Sequence, residues 1–106
     1  MLTRIKKLLG NGPQTDLKAI LAQGATLLDV RTREEYAGGH IPGSINIPLN
    51  NLEASLSKIP KNKAVITCCA SGMRSGAAKS LLSGKGYAEV HNGGGWRSLG
   101  QKIGKL

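Results

Sequence analysis

Residues 64–75 read Ala-Val-Ile-Thr-Cys-Cys-Ala-Ser-Gly-Met-Arg-Ser. The apolar, partly β-branched run that begins at Ala64 predicts a buried strand, and the small residues and glycine that follow Cys69 predict a tight loop. A helical pattern then runs from Ser75 to Leu82. A loop that turns back just before a helix leaves several backbone N–H groups without intrachain partners, and these groups can converge on an anion. The segment therefore predicts an anion-binding loop that begins at a cysteine.

A thiol in such a loop gains reactivity from its surroundings. A helix N-terminus and a nearby guanidinium group can lower the pKa of a cysteine from about 8.5 into roughly the 3.5–7.5 range, and the thiolate is the form that attacks. Arg74 follows Cys69 at the start of the predicted helix and supplies a guanidinium group. Together these residues predict a nucleophilic cysteine.

Four segments of the chain resemble the rhodanese family. The loop Cys69–Arg74 resembles its active-site loop, C-x-x-G-x-R, and Leu28–Tyr36 resembles its first-strand segment. His40–Pro48 resembles the family's H-I-x-G-A-x-N-I-P segment, and Gly93–Trp96 resembles its closing G-G-x-x-x-W with a shorter gap. The resemblance covers roughly residues 13–103, and four matches in the family's order are far more specific than one.

This resemblance implies an α/β fold: a three-layer α/β/α rhodanese-like domain with a small, mostly parallel central sheet. A chain of 106 residues has room for one such domain. We expect the rhodanese domain to span residues 13–106 and a basic N-terminal segment, a short or frayed helix, to span residues 1–12. The implied activity is a sulfurtransferase that moves a sulfane sulfur from a donor such as thiosulfate to cyanide or a thiol, through a Cys69 persulfide.

The resemblance also assigns roles to residues. Cys69 and Arg74 are the expected catalytic residues. The backbone N–H groups expected to bind the substrate belong to Ala70, Ser71, Gly72, Met73, Arg74 and Ser75. The residues expected to support the site structurally are Asp29, Arg31, Glu35, His40 and Trp96.

Three of the supporting residues carry specific expectations. Asp29 lies at the carboxyl end of a predicted central strand, where it is expected to hold loop backbone, and Arg31 is expected to pair with Glu35. His40 invites a second interpretation as a general base for Cys69. The loop-anchoring role implied by the resemblance is preferred, because an anion-binding loop already lowers a thiol pKa without a base.

Two adjacent cysteines leave the choice of nucleophile to be argued. Counted from Cys68, Arg74 fits the C-x5-R signature of cysteine phosphatases, but that signature has a histidine before the nucleophile and a glycine three positions after it. Thr67 and Ser71 occupy those positions here, whereas counting from Cys69 places Gly72 correctly. The resulting six-residue loop suits a sulfur atom better than a phosphate group. Cys68 is predicted to be a buried strand residue, and a role as resolving thiol stays open.

Net charge and aromatic content indicate which classes of partner the chain can bind. Fifteen Lys and Arg against six Asp and Glu give a formal charge of +9, which attracts anions and acidic surfaces. Nucleic acid is disfavoured, because the basic residues are scattered and only three aromatic residues are available for base stacking. The expected partners are a small anionic sulfur donor and a thiol or cyanide acceptor, with an acidic acceptor protein left open and no stable membrane association.

The cysteines and histidines indicate the redox compartment and whether a metal site is expected. Adjacent cysteines cannot form an ordinary disulfide with each other, and reduced thiols are typical of the cytoplasm. The two histidines, His40 and His91, lack metal-ligand spacing, so neither a metal nor a cofactor is expected. Two alternatives to the sulfurtransferase stay open. One is a non-enzymatic sulfur-carrier or partner-binding module, and the other is a phosphate or arsenate hydrolase or reductase of related fold.

Local patterns predict the remaining elements. A helix capped by Thr15 or Asp16 is predicted to run to Gln23, followed by a strand over residues 25–30. A helix capped by Asn50 or Asn51 is predicted to run through Lys58. A short strand is predicted over residues 88–91, with Gly93–Gly95 beginning the last helix.

Overall fold

The computed structural model of the chain describes residues 15–106, and the predicted basic segment 1–12 lies outside them. Within residues 15–106, four strands alternate with four α-helices and two short 3₁₀-helices. In chain order they are α1 (Leu17–Ala22), β1 (Thr26–Asp29), α2 (Arg33–Ala37), β2 (Ile45–Asn46), the 3₁₀-helices Leu49–Asn51 and Glu53–Lys58, β3 (Val65–Cys69), α3 (Met73–Gly84), β4 (Val90–Gly95) and α4 (Trp96–Lys102).

The four strands form one parallel sheet in the order β2-β1-β3-β4. β3 pairs with β1 on one side and with β4 on the other, and all five of its residues are buried. A continuous apolar strand of this kind is typical of a parallel sheet covered on both faces. Because parallel strands end at the same edge, the carboxyl ends of β1, β3 and β4 place Asp29, Cys69 and Gly95 along one edge of the sheet.

Each face of the sheet carries its own core cluster. Successive side chains of a strand point to opposite faces, so Cys69 joins one cluster and Cys68 joins the other. The first cluster packs the sheet against α3 and the 3₁₀-helices through Leu52, Ala78 and Leu82. The second packs it against α1 and α4 through Leu17, Leu99 and Ile103. The predicted three-layer α/β/α architecture is therefore confirmed.

The predicted helix over residues 50–58 was wrong in type and cap. Two 3₁₀-helices occupy this region, with a break at Ser55 (φ −119°, ψ 18°) and no side-chain cap from Asn50 or Asn51. Pro60 disfavours a helical residue before it, and Ile59 is extended. The hydroxyl of Tyr87 donates to the carbonyl oxygens of Leu56 (3.1 Å) and Ile59 (2.6 Å), so tertiary contacts fix the segment's irregular path.

The predicted helical start at Gly93–Gly95 was also wrong, because these glycines belong to β4. Thr67 pairs with Asn92 and Cys69 pairs with Gly95, so β4 contains one extra residue between these pairs. This bulge includes Gly94, whose φ of +81° is a left-handed value that glycine adopts without strain. Gly93 lies so close to the sheet that an added Cβ would be 2.8 Å from the Thr67 carbonyl oxygen and 2.7 Å from Leu99 Cδ2.

These contacts predict that Gly93→Ala destabilises the fold by about 1–3 kcal/mol, the usual cost of overpacking. The matched control is Gly84→Ala at the end of α3, where an added Cβ meets nothing within 4 Å. That control should leave the free energy of unfolding unchanged or raise it by up to about 1 kcal/mol. Urea unfolding midpoints measure both variants, and an unaltered midpoint for Gly93→Ala would contradict the packing described here.

Candidate active site

Cys69 ends β3, and backbone N–H groups converge on its sulfur. The N–H of Gly72 lies 2.9 Å from Cys69 Sγ and the N–H of Ser75 lies 3.3 Å from it. The hydroxyl oxygen of Ser75 lies 3.5 Å from the same sulfur. The residue is only 1% exposed, so the sulfur lies within the loop rather than on the surface. This geometry stabilises negative charge on the sulfur.

Glycines allow the loop to close around the sulfur. Gly72 has φ +110° and precedes α3, which begins at Met73 rather than at the predicted Ser75. A side chain at Gly95 would lie 3.0 Å from the Ala70 carbonyl oxygen, so this glycine lets β4 pass close beneath the loop. The glycines of the loop and of β4 thus set the tight curvature that directs N–H groups inward.

The surroundings of Cys69 lower its pKa. Burial alone would raise the pKa, but hydrogen bonds outweigh it: the Ser75 side chain contributes most, followed by the backbone N–H groups of Ser75, Gly72 and Ser71. Of the predicted loop donors, Gly72 and Ser75 have N–H groups within hydrogen-bond distance of the sulfur, and the Ser71 N–H makes a weaker contribution to the lowered pKa. Ala70 contributes its carbonyl to the packing against β4, and the Met73 side chain is 84% exposed.

Asn92 is a functional candidate that the sequence analysis missed. Its carboxamide oxygen accepts hydrogen bonds from the Ser75 hydroxyl (2.6 Å) and from the Gly94 N–H (2.9 Å). Its Nδ2 donates to the Gly72 carbonyl at 3.3 Å. Asn92 therefore contacts Gly72 and Ser75, the two residues whose N–H groups lie closest to Cys69 Sγ. An asparagine before glycines is a turn signal, and that signal would have indicated the bulge that brings Asn92 to the loop.

Cys68 lies on the opposite face of the sheet from Cys69. Its thiol is fully buried in the second core cluster. Burial, reinforced by the negative charge of Asp29, raises the pKa of Cys68 to about 12. The thiol therefore stays protonated and is separated from the Cys69 loop by the strand itself.

The expected pairing of Arg31 with the Glu35 carboxylate was wrong. Arg31 instead forms a buried ion pair with Asp29, with Nη2 to Oδ2 at 2.8 Å. Asp29 also accepts the Arg31 backbone N–H at 2.9 Å, as expected of a carboxylate that holds loop backbone. The pair is favoured because Asp29 and Arg31 are separated by one residue and extend from the same end of β1.

Glu35 pairs with Arg74 instead. The two Nη atoms of Arg74 lie 2.8 Å and 3.0 Å from the two carboxylate oxygens of Glu35. Hydrogen bonds from Arg74 and then from Thr32 lower the pKa of Glu35 to about 2, and the ion pair raises the pKa of Arg74. The guanidinium group of Arg74, an expected catalytic residue, therefore already holds a carboxylate.

His40 lies in the loop after α2, and Trp96 is the first residue of α4. The exposed His40 stacks on Tyr36 with ring centroids 3.7 Å apart, and its Nδ1 lies 2.7 Å from the Tyr36 carbonyl oxygen. The ring of Trp96 lies 4.6 Å from the guanidinium carbon of Arg31 and packs against Gly39. Both side chains contact the connections that follow β1.

A cavity of about 320 Å³ opens beside Arg74. Its walls are largely apolar. The residues that line it are Val30, Thr32, Pro48, Leu49, Asn50 and Arg74. Space for the non-reacting part of a substrate is thus available next to the guanidinium group.

Residues 15–106 contain no cluster of three or more side chains suited to hold a metal ion. No helix in this range combines the length and the apolar character that crossing a membrane requires.

Residues 13–101 match the rhodanese-like domain family, so the chain belongs to that family. Thiosulfate sulfurtransferase PspE of Escherichia coli K12 is 40% identical over 74 residues, covering 68% of this chain and 71% of PspE. The uncharacterized protein YqhL of Bacillus subtilis 168 is 41% identical over 80 residues, covering 74% of this chain. The chain spans 64% of the length of YqhL, slightly less than two thirds.

A solved structure shows the same fold. The structure of a rhodanese with anions from E. coli is 39% identical to this chain, with a TM-score of 0.64. The match covers 70% of this chain and 89% of that one. This agreement confirms the rhodanese fold that the sequence motifs implied.

The Ser75 hydroxyl is predicted to be a main source of the lowered pKa of Cys69. The single proton of the Ser75 hydroxyl points to Asn92 Oδ1 in the structure and must turn toward Cys69 Sγ, 3.5 Å away, to stabilise the thiolate. Ser75→Ala removes this hydroxyl and keeps the backbone N–H, so the pKa of Cys69 should rise and alkylation by iodoacetamide should reach half its maximal rate at a higher pH. The control is Ser71→Ala, because Ser71 acts on the sulfur through its backbone N–H and its side chain is exposed. An equal shift in both variants, or none in Ser75→Ala, would contradict this assignment.

Proposed function

We propose that this protein is a sulfurtransferase that carries sulfane sulfur as a persulfide on Cys69. The observation that carries the proposal is the convergence of the Gly72 and Ser75 N–H groups on Cys69 Sγ, at 2.9 Å and 3.3 Å. These donors favour a thiolate, which is the attacking form of cysteine. The similarity to a thiosulfate sulfurtransferase supports thiosulfate as a donor.

In the first half-reaction the Cys69 thiolate attacks the outer sulfur of thiosulfate. A bond forms between Sγ and that sulfur, and the sulfur–sulfur bond of thiosulfate breaks. The electron pair of the broken bond leaves with sulfite, and the total charge of −3 is unchanged. The product is a persulfide anion on Cys69, and backbone donors aimed at the developing charge lower the barrier.

In the second half-reaction an acceptor attacks the terminal sulfur of the persulfide. Cyanide yields thiocyanate, and a thiolate yields a new persulfide. In both cases the electron pair of the broken bond returns to Sγ and restores the Cys69 thiolate. Two half-reactions that share a covalent intermediate produce ping-pong kinetics.

The chain's charge and thiols fit this cycle. The formal charge of +9 attracts an anionic donor or an acidic acceptor surface from a distance. Each cycle begins with a free Cys69 thiol, so we place the protein in a reducing compartment such as the cytoplasm. Cys68 serves as a small apolar core residue in this scheme, with no part in the transfer.

The proposal predicts that the reduced protein gains one sulfur atom after incubation with thiosulfate and removal of small molecules, as measured by intact-protein mass spectrometry. Cys69→Ser should abolish this gain, because it removes the attacking sulfur. Cys68→Ala should retain the gain, since its side chain lies on the other face of the sheet. Alanine is preferred to serine at position 68 because a buried hydroxyl would lack a partner.

Other outcomes distinguish the alternatives. A persulfide that forms but passes to neither cyanide nor a small thiol would favour the sulfur-carrier module. If the protein gains no sulfur from any of several sulfane donors, the sulfurtransferase proposal is overturned and a partner-binding module is favoured. Turnover of an aryl phosphate or reduction of arsenate, abolished by Cys69→Ser, would favour the hydrolase or reductase.

A further inference from the structure

The ion pair between Arg74 and Glu35 joins two segments of the active site. Arg74 lies between Gly72 and Ser75, whose N–H groups contact Cys69 Sγ, and it also borders the cavity beside the loop. Glu35 belongs to the first turn of α2, 39 residues earlier in the chain. Both carboxylate oxygens of Glu35 are engaged by the two Nη atoms of Arg74.

The Glu35 carboxylate is fixed from both sides. Its Oε1 accepts the Thr32 backbone N–H at 2.9 Å and the Thr32 hydroxyl at 3.2 Å. The first of these bonds and the bond from the Glu35 N–H to the Thr32 hydroxyl oxygen (3.2 Å) form the capping box that starts α2. The carboxylate therefore cannot swing away from Arg74 without also breaking the cap of α2. An anion that approaches Arg74 meets a guanidinium group whose charge is already offset.

We propose that Glu35, by holding Arg74, makes dianions such as thiosulfate bind more weakly than they would to a free guanidinium group, so that sulfur donors and acceptors with less negative charge gain in relative affinity. This inference rests on the proposed sulfurtransferase function. Glu35 touches no substrate in this scheme and acts as a positioning residue through Arg74. The cavity beside Arg74 is largely apolar. It therefore favours substrates with apolar groups over highly charged ones, which is the same preference.

The charge of Glu35 is present throughout the working pH range. Its pKa of about 2 keeps the carboxylate ionised at neutral pH, so the effect on anions should not vary between about pH 6 and 9. Both side chains are about one third exposed, at 35% and 37%, so water screens the pair. Removing the carboxylate charge should therefore change the affinity for an anion roughly three- to tenfold rather than by orders of magnitude.

The test uses two alkylating reagents that differ in charge. Iodoacetate is an anion and iodoacetamide is neutral, and both react with the Cys69 thiolate, so the ratio of their rates cancels any change in the pKa of Cys69. Glu35→Gln removes the charge and keeps an oxygen that can accept the Thr32 N–H. We expect the iodoacetate-to-iodoacetamide ratio to rise roughly threefold or more in this variant.

Glu34→Gln is the matched control. It removes the same charge from the neighbouring position in the first turn of α2, where the side chain is exposed. We expect its rate ratio to stay at the wild-type value. An unchanged or lower ratio in Glu35→Gln, or an equal rise in Glu34→Gln, would overturn the proposal.

Steady-state kinetics extends the test to sulfur transfer. In Glu35→Gln, KM should fall more for thiosulfate, a dianion, than for methanethiosulfonate, a monoanion, with kcat changing less than KM. A KM that falls equally for both donors would overturn the proposal. Because alkylation needs no sulfur transfer, a raised rate ratio in a protein that forms no persulfide would support the role of Glu35 and count against the sulfurtransferase function alone.

Discussion

A buried thiol held by backbone N–H groups is the constraint on which the rest of the site depends. Burial by itself keeps cysteine protonated, and at Cys69 hydrogen-bond donors aimed at the sulfur reverse that preference. At Cys69 those donors come from the loop and the first turn of α3, and they meet only because Gly72 turns the chain with φ +110°. The central position of β3, packed between two neighbouring strands, supplies the fixed point from which the loop starts.

Cys68 and Cys69 show how strongly position decides the chemistry of one residue type. Both are almost fully buried, yet the pKa of Cys68 rises to about 12 and that of Cys69 falls. Alternation along β3 sends Cys68 into an apolar cluster near the Asp29 carboxylate, and sends Cys69 toward the start of α3. Composition and adjacency cannot tell which of the two cysteines is the candidate nucleophile. The spacing to Gly72 can, because Gly72 lies three positions after Cys69, as in the family motif, and four after Cys68.

Much of the fold and the position of the Cys69 loop could be predicted from the sequence, because apolar runs fix β1 and β3 and the loop motif is short and local. What could not be predicted depends on residues far apart in the chain. Glu35 was assigned to the nearby Arg31, but the short loop after Asp29 gives that arginine a closer carboxylate and leaves Glu35 for Arg74. The glycines of β4 resemble a helix start in sequence and become strand only through pairing with β3.

The chain is strongly basic, yet Arg74 in the candidate site is paired with Glu35. A full positive charge and a backbone N–H dipole affect a thiolate differently, and this difference accounts for the pairing. A fully exposed guanidinium group beside the sulfur would lower the pKa of the thiol further, but the nucleophilicity of a thiolate falls as its pKa falls, with a Brønsted coefficient of about 0.4–0.5. N–H dipoles at Gly72 and Ser75 stabilise the thiolate without adding a full charge. With Arg74 held by Glu35, the overall charge of +9 attracts anions from a distance, and in the proposed mechanism the Cys69 thiolate keeps its nucleophilicity.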